Sequence, residues 1–296
     1  MFVNLDDVDT RLYVELQRDG RASMESLAAR MGLSRVATRA RVHRLIESGT
    51  LRVVGIVHPS TQEIRAFAHL SITVSGSASA VGKVIADSDT VPLVSVVTGR
   101  AALVAEARAE STAALRAEVN RIAATPGVVH VESTLYTERV KDIFAPPSTI
   151  TPTPIDDVDR QIIEVLARDG RASYVDIARQ TNFSPSAARA RVAHLLSRGV
   201  VRITTLLTPG MVGLQHMCGF GLRLRADEDG DIAAIAAMDE VSYLSLTLGR
   251  YDAIGTLLVK TQAELVAGLD YVRSLPGVEA LESWNHLDVI KVDHSL

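Results

Sequence analysis

A stretch of 55 residues near the start of the chain occurs twice. Residues 5–59 align with residues 155–209 without a gap, at a constant offset of 150, and 22 of the 55 aligned positions are identical. A spacing of 150 residues is far longer than the units of solenoids, which are about 20–50 residues long. The sequence therefore predicts two successive copies of one small domain pair within the 296-residue chain.

Each copy of the repeat has the pattern of three short helices. In the first copy the acidic residues Asp6–Asp9 suit the start of a first helix, Ser23 caps a second, and Ser34 caps a third that runs to about Ser48. Residues 51–57 have the pattern of a strand that ends at Pro59. Three short helices with a tight turn before the third predict a helix-turn-helix, whose last helix enters the major groove of DNA.

The third helix has an inward and an outward side. At about 100° per residue, the inward side carries Thr38, Val42 and Leu45, with Arg41 at its edge. We expect Arg41 and its copy Arg191 to tie helices together through an acidic partner. The outward side, which we expect to meet the bases, consists of Arg35, Val36, Arg39, Ala40 and His43 in the first copy and Pro185, Ser186, Arg189, Ala190 and Ala193 in the second. Its small residues allow a close approach to base edges.

Other polar residues near the third helix are candidates for contacts to the DNA phosphates, which position a protein without specifying sequence. These are Arg21, Ser23, Arg44, Arg171 and Ser173. The net charge of −4 does not indicate a nucleic-acid binder, but binding needs only a local patch. Residues 33–52 contain five arginines and one acid, and residues 183–202 contain four arginines and no acid. An arginine-bearing helix face is also compatible with simple solvation.

After each repeat the pattern changes to the order βαββαβ, which is the ferredoxin-like arrangement. In the first half, strands are predicted at residues 67–74, 93–98, 102–107 and 128–140, and helices at 78–88 and 112–124. In the second half, strands are predicted at 218–224, 242–248, 253–259 and 278–290, and helices at 232–238 and 262–274. The predicted fold class is α+β, with two repeats that each combine a winged helix-turn-helix head and a ferredoxin-like domain.

These patterns divide the chain into five segments. We expect a first DNA-binding head at residues 1–59 and a first ferredoxin-like domain for effector binding and assembly at 60–144. A proline-rich linker follows at 145–154. The second head is expected at 155–209 and the second ferredoxin-like domain at 210–296.

Specific motifs resemble the Lrp/AsnC family of transcription factors, in a tandem version. They include Leu5-Asp6-x-x-Asp9, the Arg18–Arg21 turn, Leu33-Ser34 and, after the heads, the glycine turns at Gly99 and Gly249. The resemblance implies double-stranded DNA as a partner and pairing of the ferredoxin-like domains through their sheets. It also implies a small effector, often an amino acid, that binds at interfaces between such pairs. The two halves would mimic a homodimer, and chains would assemble further into a homo-oligomer.

The resemblance places the effector site at the glycine turns, with Gly99, Gly249, Arg250, Tyr251 and Asp252 as candidate residues. The first half has Ala101-Ala102 where the second half has Tyr251-Asp252, so it lacks a polar contributor. We therefore expect at most one such site in each chain. The alternative is that Asp252 only caps a turn.

The two outward helix faces differ in a similar way. Arg39 and Ala40 persist as Arg189 and Ala190, whereas the other outward positions change. Arginine bidentate to guanine is the commonest specific base contact. We hypothesise that Arg39 and Arg189 read a shared base within two half-sites that are otherwise unlike.

Other functional classes have less support. Cys218 is the only cysteine, so no disulfide forms within the chain, and the residues that follow Met1 do not form a targeting leader, which favours a cytoplasmic location without membrane contact. No nucleotide-binding, metal-binding or catalytic motif occurs, so neither a cofactor nor enzymatic activity is expected. Two alternatives remain. One is an enzyme that resembles siroheme decarboxylases, of which Trp284-Asn285-His286 is a faint sign; the other is a ligand-sensing assembly module that does not bind DNA.

Overall fold

A computed structural model of the chain describes residues 5–57, 64–143, 155–207, 216–225 and 229–292. The predicted proline-rich linker at 145–154 lies outside the described residues, as do the expected domain boundaries at Pro59 and Pro209.

The described elements repeat in the same order in both halves. The first half consists of α1 (Asp7–Arg18), α2 (Met24–Met31), α3 (Arg35–Glu47), β1 (Leu51–Val57), β2 (Ala66–Val74), α4 (Ala78–Ala86), β3 (Leu93–Val97), β4 (Leu103–Ala109), α5 (Thr112–Ala123) and β5 (Val128–Asp142). The second half consists of α6 (Asp157–Arg168), α7 (Tyr174–Thr181), α8 (Pro185–Ser197), β6 (Val201–Leu207), β7 (His216–Leu224), α9 (Asp229–Ala237), β8 (Val241–Leu248), β9 (Ala253–Val259), α10 (Gln262–Ser274) and β10 (Val278–Val292). The α+β class and the βαββαβ order are confirmed.

The helix ends follow from local chemistry. The side chains of Ser23 and Ser34 accept hydrogen bonds from the first turns of α2 and α3, which satisfies amide groups that have no partner within the helix. The left-handed Gly32 (φ 66°) ends α2. The equivalent residue in the second head is Asn182 (φ 56°), the other residue type that tolerates this conformation. The tight turns at Gly32 and Asn182 lead into α3 and α8, and both of these helices have a side exposed at the surface.

The strand that follows each third helix pairs with the strand of the other head. β1 and β6 form a two-stranded antiparallel sheet, with a register from Leu51 opposite Leu207 to Val57 opposite Val201. Each of these strands also bonds to the helical part of the other head. Thr205 Oγ1 in β6 donates to the carbonyl of Leu16 in α1 (3.0 Å), and the amide of Gly170, which follows α6, donates to the carbonyl of Val53 in β1 (2.8 Å). Each head is therefore completed by residues of the other.

The two ferredoxin-like domains form a closed eight-stranded barrel in the order β10, β3, β4, β2, β5, β8, β9, β7. Closure takes place across the halves, because β10 pairs with β3 and β5 pairs with β8. The helices cover the outer surface over two apolar clusters, one for each half, which include Leu70 and Ile122 in the first and Phe220 and Val272 in the second. Sheet pairing between ferredoxin-like domains thus occurs within a single chain.

Contacts divide the described chain into two compact units, one that contains both heads and one that contains both ferredoxin-like domains. None of the helices in the described ranges is long and apolar enough to cross a membrane.

The close contact between β1 and α6 gives a test of the strand exchange. A Cβ atom on Gly55 would lie 3.0 Å from Leu166 Cβ and 3.1 Å from the backbone carbonyl oxygen of that residue. Because backbone atoms must shift, Gly55→Ala is expected to lower the free energy of unfolding by about 1–3 kcal/mol in urea titrations. The control is Glu164→Ala, which truncates an exposed side chain on α6 and should change stability little. Equal stability of the two variants would contradict the exchange.

Candidate DNA-binding surface and effector cavity

The outward face of α3 is exposed along its length, as is that of α8. The exposed residues include all of the predicted base readers: Arg35, Val36, Arg39, Ala40 and His43 on α3, and Pro185, Ser186, Arg189, Ala190 and Ala193 on α8. Val36 is 79% exposed, although it is apolar. Arg39 and Arg189 have no hydrogen bond or ion pair with any residue that the structure describes. Both guanidinium groups are therefore available to a partner outside the chain.

The inward arginines attach these helices to the rest of each head. Arg41 Nη1 donates to Asp6 Oδ2 (2.5 Å) and to Asp9 Oδ1 (2.9 Å). Arg191 repeats the arrangement with Asp156 and Asp159, at 2.7 and 2.8 Å. The pKa of Asp6 lies below its usual value. The largest cause is the hydrogen bond from the backbone amide of Asp9, and the next is the hydrogen bond from Arg41. The prediction that Arg41 and Arg191 tie helices together through acidic partners is confirmed.

Arg44 has a second role in the first head that the second head lacks. Its Nη2 lies 2.5 Å from Oδ2 of the buried Asp9, while its side chain stays 54% exposed. The equivalent residue in the second head is His194, and Asp159 makes its arginine contact with Arg191 alone among the described residues. The predicted phosphate-contacting Arg44 therefore also neutralises a buried carboxylate.

Arg21 and Arg171, which the sequence assigns to DNA phosphates, each bind the backbone of the other head. Arg21 donates to the backbone carbonyls of Gly170 (2.7 Å) and Ala172 (2.6 Å). Arg171 donates to those of Gly20 (2.7 Å) and Ala22 (3.0 Å). Burial, together with the nearby charge of Arg21, lowers the pKa of Arg171. These two arginines clamp the heads to each other through two nitrogens of each guanidinium group, and their contact with DNA phosphates stays a prediction.

The serines of the same turns are helix caps. Ser23 Oγ accepts a hydrogen bond from the amide of Ser26 (3.1 Å). Ser173 Oγ accepts from the amide of Asp176 and also donates to its carboxylate (2.6 Å). The hydroxyl group of Ser173 thus already has a carboxylate partner, and its contact with phosphate stays a prediction. Ser23 keeps its hydroxyl hydrogen and remains a candidate.

The glycine turns adopt backbone conformations that other residues rarely reach, with φ of 104° at Gly99 and 144° at Gly249. A Cβ atom on Gly249 would also lie 3.2 Å from the backbone of Thr134. After this turn, Asp252 Oδ2 accepts from the amide of Leu224 (2.8 Å) and Oδ1 accepts from Arg223 (3.0 Å). Asp252 therefore anchors the turn to β7, as the alternative interpretation of this residue expects, and its place in an effector site stays a prediction.

A cavity lies beside the first of these turns, in the barrel. Its enclosed space is only about 10 Å³, room for about one water molecule, and about 260 Å³ is empty when the space open to solvent is included. Its walls come from both halves: Ser71, Val97, Thr98, Arg100, Ala101 and Val104 from the first, and Tyr251, Glu282, Ser283 and Trp284 from the second. Of the predicted effector residues only Tyr251 lines this cavity; Gly99 shapes its turn, while Gly249, Arg250 and Asp252 lie outside its lining.

Four charged residues, two from each half, form a linked group, of which Arg100 and Glu282 line the cavity. Arg250 Nη2 lies 2.8 Å from Glu282 Oε2, and Arg100 pairs closely with Glu132. Crossed contacts link the pairs, since Arg100 Nε lies 3.5 Å from Glu282 Oε1. Burial alone would raise the pKa of Glu282, but hydrogen bonds from Arg250 and Tyr251 outweigh it and lower the pKa. The group is neutral overall, with both charges of the Arg100–Glu282 pair at the cavity wall.

Polar residues continue from the cavity wall into the barrel. The ring of His69 packs at a tilt against that of Trp284, with centroids 5.2 Å apart, and Nδ1 of His286 is buried without a hydrogen-bond partner in the described structure. Burial, with a smaller effect of His286, lowers the pKa of His69 to about 3, and burial lowers that of His286 to about 4. On the neighbouring strand, burial raises the pKa of Glu106 to about 6, against the hydrogen bond from Tyr136 Oη (2.9 Å).

The sequence did not point to Ser71, Arg100, Glu282 or Trp284 as wall residues. A signal was present in the comparison of the halves, because Ala101 and Tyr251 occupy equivalent positions and differ strongly in size. The pairing of β10 with β3, which brings Asn285 beside Thr98, has no signature in local sequence.

Two helix-turn-helix heads together with two ferredoxin-like domains form a domain set that is typical of a class of DNA-binding regulators. Residues 5–46 and 155–196 match the family model described as AsnC-type helix-turn-helix domain, and residues 65–145 match the Lrp/AsnC ligand binding domain. These segments cover more than half of the chain. The chain belongs to the Lrp/AsnC family of transcriptional regulators, in a tandem arrangement.

Relatives correspond in length to about one half of this chain. The HTH-type transcriptional regulator FL11 of Pyrococcus abyssi is 29% identical over 127 residues, which make up 42% of this chain and 84% of that protein. A Pyrococcus horikoshii protein, named Uncharacterized HTH-type transcriptional regulator PH0140, is 30% identical over 132 residues, 44% of this chain and 84% of that protein. Among solved structures, the siroheme decarboxylase NirDL superposes with a TM-score of 0.69 over 96% of this chain and 92% of its own. Its identity is 14%, so this likeness shows a shared fold alone.

The buried Asp9 pairs with two arginines, whereas Asp159 pairs with one among the described residues. We therefore expect matched substitutions in the two heads to change stability by different amounts. Arg191→Met removes the arginine that contacts Asp159, whereas Arg41→Met leaves Asp9 paired with Arg44. Leaving a buried charge without its partner costs about 3–5 kcal/mol, so Arg191→Met should destabilise the chain more than Arg41→Met. Urea titrations of both variants measure the difference. Equal losses, or a larger loss for Arg41→Met, would contradict this account of Arg44.

The lowered histidine pKa values predict a loss of stability in acid. The folded state keeps His69 neutral down to about pH 3, whereas an unfolded histidine binds a proton below about pH 6.5. Stability therefore falls with pH below 6.5, by about 1.4 kcal/mol per pH unit for His69. Glu106 acts in the opposite sense, because its raised pKa makes the folded state bind a proton from about pH 6 downward.

Urea titrations at pH 7.0 and 5.5 test this prediction. His69→Gln should reduce the difference in unfolding free energy between the two pH values. Substitution of the exposed His43 by Gln should leave the difference unchanged. A His69→Gln variant with the pH dependence of the parent chain would refute the assignment.

Proposed function

We propose that the chain is a transcriptional regulator whose two heads bind double-stranded DNA at unlike half-sites and whose barrel responds to a small-molecule effector. Membership of the Lrp/AsnC family supports regulation through DNA. The observation that carries the proposal is the pair of outward helix faces, on which Arg39 and Arg189 are exposed and have no described protein partner.

The two faces support recognition of different sequences. Arg39 and Ala40 have identical counterparts in Arg189 and Ala190, so one guanine contact is shared. Around this contact, α3 presents Arg35, Val36 and His43, whereas α8 presents Pro185, Ser186 and Ala193. A homodimer must present the same face twice and therefore selects a palindrome, but one chain with two heads is free of that constraint.

Linkage of the two heads also strengthens binding. When one head is bound, the second binds as an intramolecular event, which can raise overall affinity by about 10²–10⁴ over either head alone. The clamp formed by Arg21 and Arg171 and the β1–β6 sheet support a fixed arrangement of the heads. Further assembly of these pseudo-dimeric chains into a homo-oligomer belongs to the proposal.

The enzymatic alternative has weaker support. The fold is shared with a siroheme decarboxylase, but the enclosed space beside Trp284 is about 10 Å³, room for about one water molecule. A tetrapyrrole is far larger. A titration with an iron tetrapyrrole, followed by absorbance in the Soret region, distinguishes the two functions, and we expect no saturable shift.

Substitution of the shared arginines tests DNA reading. Arg39→Ala and Arg189→Ala should each weaken binding to the DNA upstream of the protein's own gene by about 1–3 kcal/mol, or roughly 5- to 150-fold, because each removes a bidentate base contact. The measurement is a fluorescence anisotropy titration at several salt concentrations.

The control for both variants is Arg160→Ala, which removes an exposed arginine of α6 that pairs with Asp157. It takes away the same charge from the same unit, outside α3 and α8, and should leave affinity nearly unchanged. If all three variants bind alike, the arginines do not read bases. If the parent chain shows no salt-sensitive binding, the chain is a sensing module without DNA binding.

A further inference from the structure

We propose that Val36 selects a thymine in one of the two half-sites by contact with its 5-methyl group, close to the guanine that Arg39 contacts. The inference rests on the proposed function, because it names a base that only one of the two recognition helices, α3 and α8, selects. In the second head Ser186 takes the place of Val36, so this preference is expected on one side of the DNA site alone.

Packing within the protein does not account for Val36. It lies in the first turn of α3 and is 79% exposed, the largest exposed fraction among the large apolar side chains of the described residues. The buried residues of the same helix are Thr38, Val42 and Leu45, which lie on the opposite side. The described apolar core of the first head is formed without Val36. Its isopropyl group is therefore available to a partner outside the chain.

The position of Val36 places it beside the arginine that is expected to read guanine. Residues three and four apart are neighbours on a helix surface, so Val36 is adjacent to Arg39 and Ala40, and all three are exposed. Three residues correspond to about 4.5 Å along the helix axis, whereas successive base pairs are about 3.4 Å apart. A base that contacts Val36 therefore lies within about two base pairs of the guanine.

An isopropyl group discriminates among bases because it forms no hydrogen bonds. In the major groove thymine offers an apolar 5-methyl group, and the other three bases present only donors and acceptors as their distinguishing groups. Contact with the methyl group removes apolar surface on both partners from water. Contact with a donor or acceptor instead leaves that group without a hydrogen-bond partner, which costs free energy. The same side chain thus favours thymine and disfavours the alternatives.

Val36 is also held in place before DNA binds. A valine in a helix has one strongly preferred rotamer, so little side-chain entropy is lost when it makes a contact. The first turn around it is fixed, since Ser34 Oγ accepts a hydrogen bond from the amide of Ala37 (3.2 Å) and Thr38 Oγ1 donates to the carbonyl of Ser34 (3.1 Å). A stiff apolar group on a capped turn suits a contact that depends on close fit.

The equivalent position in the second head has different chemistry. Ser186 is exposed, and its Oγ lies 3.0 Å from Oγ of Ser184, the residue that caps α8. A serine hydroxyl can donate to or accept from a base edge, so it does not select a methyl group. The small residues Ala40 and Ala190 are present in both heads, and a thymine preference that came from them would appear in both half-sites.

Replacement of thymine by deoxyuridine tests the contact, because it removes only the 5-methyl group. The DNA is a site that the full chain selects from a random pool, and the first half-site is the one that loses hydroxyl-radical protection in Arg39→Ala. Each thymine within about two base pairs of the protected guanine is replaced in turn. In anisotropy titrations, one of these replacements should weaken binding of the parent chain about 4-fold, the effect of exposing one methyl-sized apolar group.

Two matched variants assign this effect to a residue. Val36→Ser copies the second head into the first and should bind the thymine and deoxyuridine sites equally. The control is Val175→Ser, which removes another exposed valine of the heads, on α7, and should respond to deoxyuridine as the parent chain does. Both positions are exposed, so neither substitution should change stability by much, and circular dichroism confirms that each variant is folded.

The proposal is overturned if no deoxyuridine replacement changes the affinity of the parent chain, or if Val36→Ser responds as strongly as the parent. It is also overturned if Val175→Ser loses the response to the same extent, or if the selected first half-site has no thymine near the guanine. Each of these results, with salt-sensitive DNA binding intact, refutes this inference and leaves the proposed function in place. A parent chain that does not bind DNA refutes the proposed function and this inference with it.

Discussion

Backbone hydrogen bonds between the two halves are the interaction on which the rest of the structure depends. β1 and β6 complete each other in the heads, and β10 with β3 and β5 with β8 close the barrel. An unpaired strand edge leaves donors and acceptors without partners and invites association with other chains. In this protein each half supplies the strands that the other half lacks. The clamp of Arg21 and Arg171, the exchanged core of the heads and the wall of the cavity all follow from that pairing.

Joining the halves in one chain also allows them to differ. In a homodimer every substitution appears twice, so a side chain that improves one half is imposed on the other. Here Tyr251 fills a space that Ala101 leaves open, and Trp284 lies on Gly219 where the other half has Thr134 and His69. The recognition helices have diverged as well, while Arg41 and Arg191, which hold them in place, have kept the same partners. The ion pairs of Arg41 and Arg191 are therefore alike in the two heads, whereas the outward faces of α3 and α8 differ.

Local features of the fold were predictable from the sequence because they depend on neighbouring residues. Serine caps, left-handed glycines and apolar periodicity indicated the helices and strands to within a few residues, and angular position indicated that Arg39 is exposed and Arg41 is turned inward. The roles of Arg21, Arg171 and Asp252 were not predictable in the same way. Their partners lie in the other head or in a distant strand, and an arginine that binds backbone carbonyls has the same local sequence as one that binds phosphate. The cavity depends on strand pairing across the halves, so only the tertiary structure reveals it.

The central claim is that one chain acts as a pair of unlike halves. Hydroxyl-radical footprinting of the full chain on DNA sites selected from a random pool tests it most directly. The account predicts two half-sites that share a guanine contact and differ in flanking sequence, with Arg39→Ala and Arg189→Ala each removing protection from a different half-site. A selected site that is a perfect palindrome, with both substitutions reducing protection equally on the two sides, would contradict it.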